Sequence, residues 1–246
     1  MNVKNLGSGG DKVRIEEMRP RELRRAIGKH PLCYVPMGLI EWHGNHNPLG
    51  TDMTRAHYIC VQAAEKSGGV VLPAQYIGGP GYSAYEGTIT YRPKLVEEFL
   101  VQTMQNLEKM GFKIVIIFMS HCGPAQDQAF EQAVHRFTSS SKLKVALVKY
   151  QDLFDQDRSG HGGSGETSIN MAMGMDVSLE EFEPTRPDIL MYEVPRRDDA
   201  WDFEYPFEWH WKEDVAKNSS LEAGRKLILK ATEKLAKLAR QMESDL

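Results

Sequence analysis

Residues 112–119 have the sequence Phe-Lys-Ile-Val-Ile-Ile-Phe-Met, with seven apolar side chains and one lysine. A nearly continuous apolar run of this length is typical of a strand covered on both faces, as in a parallel sheet. Further strands are predicted at 31–36, 70–72 and 143–150, and helices at 21–28, 54–66, 94–110, 125–137 and 219–240. This alternation predicts an α/β fold whose mostly parallel sheet carries helices on both faces.

The composition predicts a single globular domain over residues 1–246, because 41% of the residues are hydrophobic and 26% are charged. A net charge of −4 disfavours nucleic-acid binding. No apolar run reaches the roughly 18–20 residues that span a bilayer, and residues 1–20 lack a signal-peptide core. Three cysteines (Cys33, Cys60 and Cys122) suit a reducing compartment. We therefore expect a cytoplasmic protein without nucleic-acid or membrane partners.

Three polar segments follow predicted strands, at 41–52, 120–123 and 160–168. They hold four of the eight histidines together with three carboxylates. The residues are Glu41, His43, His46, Asp52, His121, His161 and Glu166. Ligands of open α/β sheets bind beyond the carboxyl ends of the strands, so we expect these segments to meet there.

The residue types in these segments indicate a metal site, because imidazole and carboxylate together suit Zn²⁺, Mn²⁺ or Fe²⁺. Glu41 and His43 are two residues apart, so both side chains point the same way on an extended segment. After the turn at 48–50, Asp52 can return to the same place and bridge two metal ions. Taken singly, each histidine is more often structural than catalytic, and it is their grouping after strands that favours a metal site.

The order Glu-x-His-Gly-x-His-x-Pro-x-x-Thr-Asp at 41–52 resembles the signature of the creatininase (creatinine amidohydrolase) family. Residues 120–123 (Ser-His-Cys-Gly) lie where that family has Asn-Gly-His-Gly-Gly-Asn, and 161–168 resemble its His-Ala-Gly-x-x-Glu-Thr-Ser motif. The resemblance extends from about residue 36 to the C-terminal helix. It implies a three-layer α/β/α fold, two divalent metal ions per chain, amide-cleaving or ring-opening hydrolysis, and a homo-oligomer, often a hexamer.

The resemblance also implies roles for individual residues. Four residues match family metal ligands by position: Glu41, His43, Asp52 (the bridging one) and His121. Creatininase has a further glutamate two residues after its counterpart of His121, where this chain has Gly123. Glu166 is therefore expected as the fifth ligand, and His161 matches a histidine with an acid/base role. Zinc is the expected metal, with manganese or iron as alternatives.

Departures from the family pattern bear on the substrate. Creatininase covers its flat substrate with two tryptophans, and the matching positions here hold Gln151 and Asp157. Both are therefore expected to bind substrate, and so is Glu86 in the Gly/Tyr-rich loop at 78–91. Polar groups in a site demand matching partners, so we expect a small molecule rich in hydroxyl or amide groups, with creatinine disfavoured.

Three functions follow from this sequence. The leading expectation is a metal-dependent hydrolase whose metal-bound hydroxide cleaves a C–N bond in a small polar cyclic amide or formamide. The alternative is hydrolytic C–C ring opening of a cyclic diketone polyol such as a keto-inositol, as in 3-dehydro-scyllo-inosose hydrolase. The third is a non-catalytic scaffold. A thiol nucleophile at Cys122 is disfavoured because free cysteines usually pack in the interior.

One further segment stands out. Residues 196–211 contain three of the four tryptophans in an aromatic and acidic stretch. Such a stretch predicts either a lid over the site or a subunit contact. The contact is favoured because Trp and Tyr are enriched at interfaces. His210, within this stretch, is expected to be part of that structure and not a metal ligand.

Overall fold

A four-stranded parallel sheet forms the centre of the protein, described here from a computed structural model of residues 12–155, 157, 159–184, 201 and 210–246. Its strands are β1 (Leu32–Met37), β2 (Val70–Val71), β3 (Ile114–Met119) and β4 (Lys144–Lys149). The order across the sheet is β2-β1-β3-β4, and every pairing is parallel. The predicted parallel sheet is confirmed, with small shifts at the strand ends.

Helices alternate with these strands along the chain. They are α1 (Pro20–Lys29), α2 (Thr51–Ser67), α3 (Pro93–Met110), α4 (Pro124–Thr138), α5 (Tyr150–Leu153), α6 (Ser164–Met173), α7 (Val215–Asn218) and α8 (Leu221–Ser244). The long helices were predicted except for α6, which begins inside the glycine-rich segment at 160–168. A proline in the first turn starts α1, α3 and α4, where its missing N–H costs no helical hydrogen bond.

Side-chain alternation along β3 divides the core into two layers. Ile114, Ile116 and Phe118 pack in a cluster with buried residues of α2 and α8. The intervening side chains, such as Val115 and Ile117, pack in a second cluster with buried residues of α3 and α4. Burial of each such side chain contributes about 1.5–3 kcal/mol. The fold is therefore the expected three-layer α/β/α arrangement, with β1 and β3 at its centre.

The carboxyl ends of the strands lie at one edge of this parallel sheet. The chain leaves β1 into 38–50, β3 into 120–123, and β4 into α5 and the segment that precedes α6. The three polar segments are thereby brought to the same edge, as the sequence predicts. Among the described residues, no helix combines the length and apolar character needed to cross a membrane.

Candidate metal centre

Five predicted ligand residues converge beyond the carboxyl edge of the sheet, and all of them are buried. They are Glu41, His43, Asp52, His121 and Glu166. Two of the carboxylates lie in the first turns of helices, Asp52 in α2 and Glu166 in α6. The partial positive charge of a helix N-terminus stabilises a carboxylate at such a position. The fold thus places acidic groups in its interior where the backbone favours negative charge.

The first donor group consists of Glu41, Asp52 and His121, whose donor atoms lie within 4.8 Å of one another. His121 Nδ1 is 2.9 Å from Glu41 Oε2 and 3.4 Å from Asp52 Oδ2. Both oxygens are buried, and among the described residues the His121 ring nitrogen is their one polar neighbour within hydrogen-bond distance that could share a proton with them. Buried carboxylate oxygens with so few donors are costly, and a cation held between them would offset that cost.

The second donor group consists of His43, Asp52 and Glu166, again within 4.8 Å. His43 Nε2 is 3.3 Å from Asp52 Oδ1 and 3.7 Å from Glu166 Oε2. His43 Nδ1 lies 3.0 Å from the carbonyl oxygen of Glu41, which fixes its proton there and leaves the Nε2 lone pair for the pocket. Asp52 belongs to both groups and offers one oxygen to each.

The electric field of these carboxylates strongly favours positive charge. Burial lowers the pKa of His43, but Asp52, Glu166 and Glu41 outweigh it and raise that pKa to about 9. His121 behaves likewise, because Glu41 and Asp52 outweigh the effect of burial and raise its pKa to about 10. A site that attracts protons this strongly will also attract divalent cations. The mixed nitrogen and oxygen donors fit Zn²⁺ or Mn²⁺.

Arg55, which was not singled out from the sequence, lies fully buried beside both groups. Its Nη2 donates to Asp52 Oδ1 and its Nη1 to Glu166 Oε1, each at 2.7 Å. Its Nε donates to Ser120 Oγ at 2.7 Å, and Nη2 donates to the Ser120 carbonyl at 3.0 Å. The guanidinium stacks 4.4 Å from the ring centroid of Tyr150. The spacing of three residues between Asp52 and Arg55 on a helix could have indicated this contact.

His161 lies at the opening of the site, in the turn before α6. Its Nε2 is 2.6 Å from the Trp42 carbonyl oxygen and donates to it, so Nδ1 carries the lone pair. That Nδ1 is 4.0 Å from Glu41 Oε2. The ring stacks on Tyr82 at 4.1 Å and contacts the His43 ring at 4.2 Å. Burial, reinforced by His43, lowers the pKa of His161 to about 4, so the ring is neutral at neutral pH.

A cavity of about 360 Å³ opens above the donor groups. The predicted substrate-binding residues Gln151 and Asp157 line it, together with Tyr82 and Tyr150. Asp157 accepts hydrogen bonds from Tyr150 Oη at 2.5 Å and from Ser159 Oγ at 2.6 Å, which fixes the carboxylate in the wall.

Glu86 does not take the position expected from the sequence. It is exposed and is not among the residues that line the cavity. The preceding Tyr85 turns inward, with its ring centroid 4.5 Å from that of Trp42. The loop at 78–91 therefore contributes Tyr82 to the cavity wall and presents Glu86 to solvent.

The aromatic segment at 196–211 is described only at Trp201, His210 and Trp211. Both tryptophans are buried within this chain: Trp201 Nε1 donates to the Tyr91 carbonyl at 2.7 Å, and Trp211 Nε1 to the His161 carbonyl at 3.0 Å. Trp211 thus supports the turn that carries His161, a contact that the sequence did not reveal. His210 is exposed, and the predicted lid or subunit contact at 196–200 and 202–209 lies outside the described residues.

Comparisons with known proteins identify the family of the chain. The creatininase family model, described as creatinine amidohydrolase, matches residues 16–239. The mycofactocin precursor peptide peptidase of Mycolicibacterium smegmatis is 27% identical over 158 residues, which span 61% of this chain and 61% of the peptidase. The creatinine amidohydrolase of Pseudomonas putida is 23% identical over 182 residues, or 63% of this chain and 69% of that enzyme.

Solved structures share the fold. A crystal structure of creatininase aligns with a TM-score of 0.77 and 18% identity over 95% of this chain and 99% of that one. A manganese form aligns with a TM-score of 0.75 and 18% identity over 94% and 99%. A creatininase variant described as of the Zn-Zn type aligns with a TM-score of 0.74 and 19% identity, over 95% of this chain and 99% of that one. Since the family model covers most of the chain, this protein belongs to the creatininase family, whose members are metal-dependent amidohydrolases.

Proposed function

We propose that this protein is a hydrolase that uses two divalent metal ions to cleave a C–N bond in a small polar cyclic amide or formamide. The observation that carries the proposal is the division of Asp52, whose Oδ1 faces His43 while Oδ2 faces His121. A carboxylate with one oxygen in each of two donor groups suits the bridge between two metal ions. Zinc is the expected metal, and manganese or iron are alternatives with the same ligand types.

Glu41, Asp52 and His121 would hold one ion, and His43, Asp52 and Glu166 the other. Gly123 has no side chain to offer, and the position of Glu166 Oε2, 3.7 Å from His43 Nε2, supports Glu166 as the carboxylate that completes the second group. When bound, such ions lower the pKa of a water molecule and polarise a carbonyl oxygen. The chain's own contribution is to fix these ligands and to exclude bulk solvent.

His161 would move the proton of the reaction through its Nδ1. Because its Nε2 donates to the Trp42 carbonyl, Nδ1 is the atom with a lone pair, and it lies near Glu41. Nδ1 would accept a proton from the attacking water and pass it to the leaving nitrogen. Tyr82 holds the ring in place by stacking on it, and Trp211 holds the backbone of His161 by donating to its carbonyl oxygen.

The cavity supports a small substrate. Its volume of about 360 Å³ is near the lower end of the roughly 300–1,000 Å³ found for ligand pockets. Gln151 and Asp157 would bind polar groups of the substrate, because both line the cavity. Glu86 would not contact a substrate from its exposed position.

These polar wall residues also favour the second candidate, hydrolytic C–C ring opening of a keto-inositol. An amide side chain and a carboxylate can bind several hydroxyl groups of a polyol. The two reactions differ in their products. Ring-opened acid from a keto-inositol would favour C–C cleavage, whereas release of ammonia or an amine from lactams, formamides or short peptides would favour C–N cleavage.

The metal content of the purified protein tests the proposal first. Elemental analysis should find about two divalent ions per chain. A chelator should abolish turnover of whichever lactam, formamide, short peptide or keto-inositol proves to be a substrate. Re-addition of the metal should restore it. A protein that holds no metal even after reconstitution would contradict the proposal and favour a non-catalytic scaffold.

We further propose a single domain and a homo-oligomer in the cytoplasm, with a hexamer suggested by the family resemblance. Light scattering coupled to size-exclusion chromatography would measure the oligomeric mass directly. A mass equal to that of one chain, 27.9 kDa, would contradict the oligomer.

A further inference from the structure

Arg55 contacts the two donor groups unequally. Its hydrogen bonds reach Ser120, Glu166 of the second group, and Oδ1 of the shared Asp52, which is the oxygen that faces His43 of the second group. It makes no hydrogen bond to Glu41, whose Oε1 instead accepts from the Tyr82 backbone N–H at 2.7 Å. Arg55 is fully buried and does not line the cavity, so it lies behind the ligands and away from substrate.

The planar guanidinium joins three separate pieces of the fold at one point. Asp52 comes from α2, Glu166 from α6 and Ser120 from the segment after β3. A guanidinium presents its donors in a rigid fork, so it fixes the distance and angle between the two carboxylates that it binds. A lysine in its place would keep the charge, but its single nitrogen cannot reproduce this fork.

The fork also orients the carboxylate oxygens around the second group. Asp52 Oδ1 accepts from Arg55 and faces His43. Glu166 Oε1 accepts from Arg55, while its Oε2 accepts the Gly162 N–H at 2.7 Å and faces His43. Glu166 therefore has one oxygen directed at the second group. Asp52 Oδ2, which Arg55 does not contact, faces the first group.

We propose that Arg55 is a positioning residue for the second metal position: it sets Asp52 and Glu166 so that their oxygens and His43 Nε2 converge on one cation. This inference rests on the proposed two-metal function. The inference predicts that replacing Arg55 lowers the affinity for the second metal ion more than the affinity for the first. Residues that orient metal ligands typically change metal affinity by about 10–100-fold when replaced.

The test is a titration of the metal-free full-length protein with Mn²⁺, with free Mn²⁺ followed by electron paramagnetic resonance. Wild type should bind about two equivalents and give the spin-coupled signal of neighbouring ions. Arg55→Lys should bind its second equivalent about tenfold or more weakly and lose the coupled signal, while its first equivalent stays within about threefold. Arg136→Lys, which alters an exposed ion pair with Glu98 at 3.0 Å, should match wild type.

Unchanged binding of both equivalents in Arg55→Lys, or equal weakening of both, would overturn the inference and leave the proposed function standing. A wild-type protein that binds neither Mn²⁺ nor Zn²⁺ would overturn both. If circular dichroism shows that Arg55→Lys does not fold, Ser120→Ala removes only the side-chain acceptor of Arg55 Nε. Ser120→Ala should lower the affinity for the second equivalent of Mn²⁺ alone, by a smaller factor than Arg55→Lys. Unchanged affinity for the second equivalent in this variant would equally overturn the inference.

Discussion

The two helical layers of this protein bury different kinds of surface against the same sheet. The buried side chains of α3 are entirely apolar, from Val96 to Leu107, and the buried polar side chain of its neighbour α4, Gln126, is uncharged. In the opposite layer, α2 and α6 bury Asp52, Arg55 and Glu166. Both faces of the sheet therefore carry an apolar core, and the face of α2 and α6 also holds buried charged groups. The contrast shows that a metal site can be held in the interior when the remaining layer is a conventional core.

The charged layer is stabilised by a buried network of uncharged side chains. Asn170 Nδ2 donates to Asn47 Oδ1 at 2.8 Å and to Thr51 Oγ1 at 2.9 Å. Asn47 Nδ2 donates to Thr167 Oγ1 at 2.9 Å. These bonds join the start of α2, where Asp52 lies, to α6, which carries Glu166. Buried hydrogen bonds of this kind rigidify the groups that they join.

The largest effect is expected for Asp52→Asn. An amide carries no charge, so it cannot hold two cations together, and turnover should fall by about a thousandfold or more with loss of metal. Asp127→Asn is the matched control, since Asp127 lies in the first turn of α4 in the other layer and pairs with Lys149 at 2.8 Å. Kinetics and elemental analysis would check both variants. Equal losses in the two variants would contradict the division between the layers.

His161→Asn should lower kcat by about 10²–10⁴-fold, because the proton would lose its carrier. Metal content should stay at the wild-type level. His161 also lies within 4.8 Å of Glu41 and His43 as a possible third donor. Loss of a metal ion in this variant would therefore make His161 a ligand, and elemental analysis beside the kinetics separates the two roles.

Phe130→Ala tests the apolar layer. Phe130 is fully buried on α4, and its truncation should lower the free energy of unfolding by about 3–5 kcal/mol. Turnover and metal stoichiometry of the folded fraction should be unchanged at low temperature. Urea denaturation measures the stability. A loss of metal from the folded variant would show that the layers are coupled.

Cys122→Ser should have the smallest effect, a change in turnover of less than about threefold. Burial raises the pKa of the Cys122 thiol to about 12, so it stays protonated and is a poor nucleophile at neutral pH. Its Sγ donates to the Met119 carbonyl and accepts from the Tyr150 N–H, contacts that a hydroxyl can reproduce. If this substitution inactivated the protein, the result would favour Cys122 as a thiol nucleophile.

The sheet and most helices were predictable because their patterns are strong, but α6 was not. Its first turn continues a run of glycines, and its buried residues include Thr167, Ser168 and Asn170, which do not form an apolar stripe. The pattern is polar because the helix packs partly on the asparagine network. A periodicity argument detects helices that bury apolar faces, and this one buries hydrogen bonds.

The metal-ligand candidates were visible in the motifs, but their support was not. Arg55 resembles an ordinary surface residue of an amphipathic helix, although Ala56 and Ile59 beside it are fully buried. Its role depends on Glu166, which is 111 residues away in sequence. Trp211 supports His161 from 50 residues away in the same manner. Contacts of this range follow from the fold and leave no local pattern.

The strand order has a consequence for exchange of backbone amide hydrogens. β1 and β3 lie at the centre of the sheet with partners on both sides, whereas β2 is a two-residue edge strand. Amides of central strands exchange with solvent only in the most extensive openings of a protein, while edges open at lower cost. The chain leads from β1 to Glu41 and from β3 to His121, so we expect these two side chains to be anchored to strands whose amides exchange more slowly than those of the edge strand.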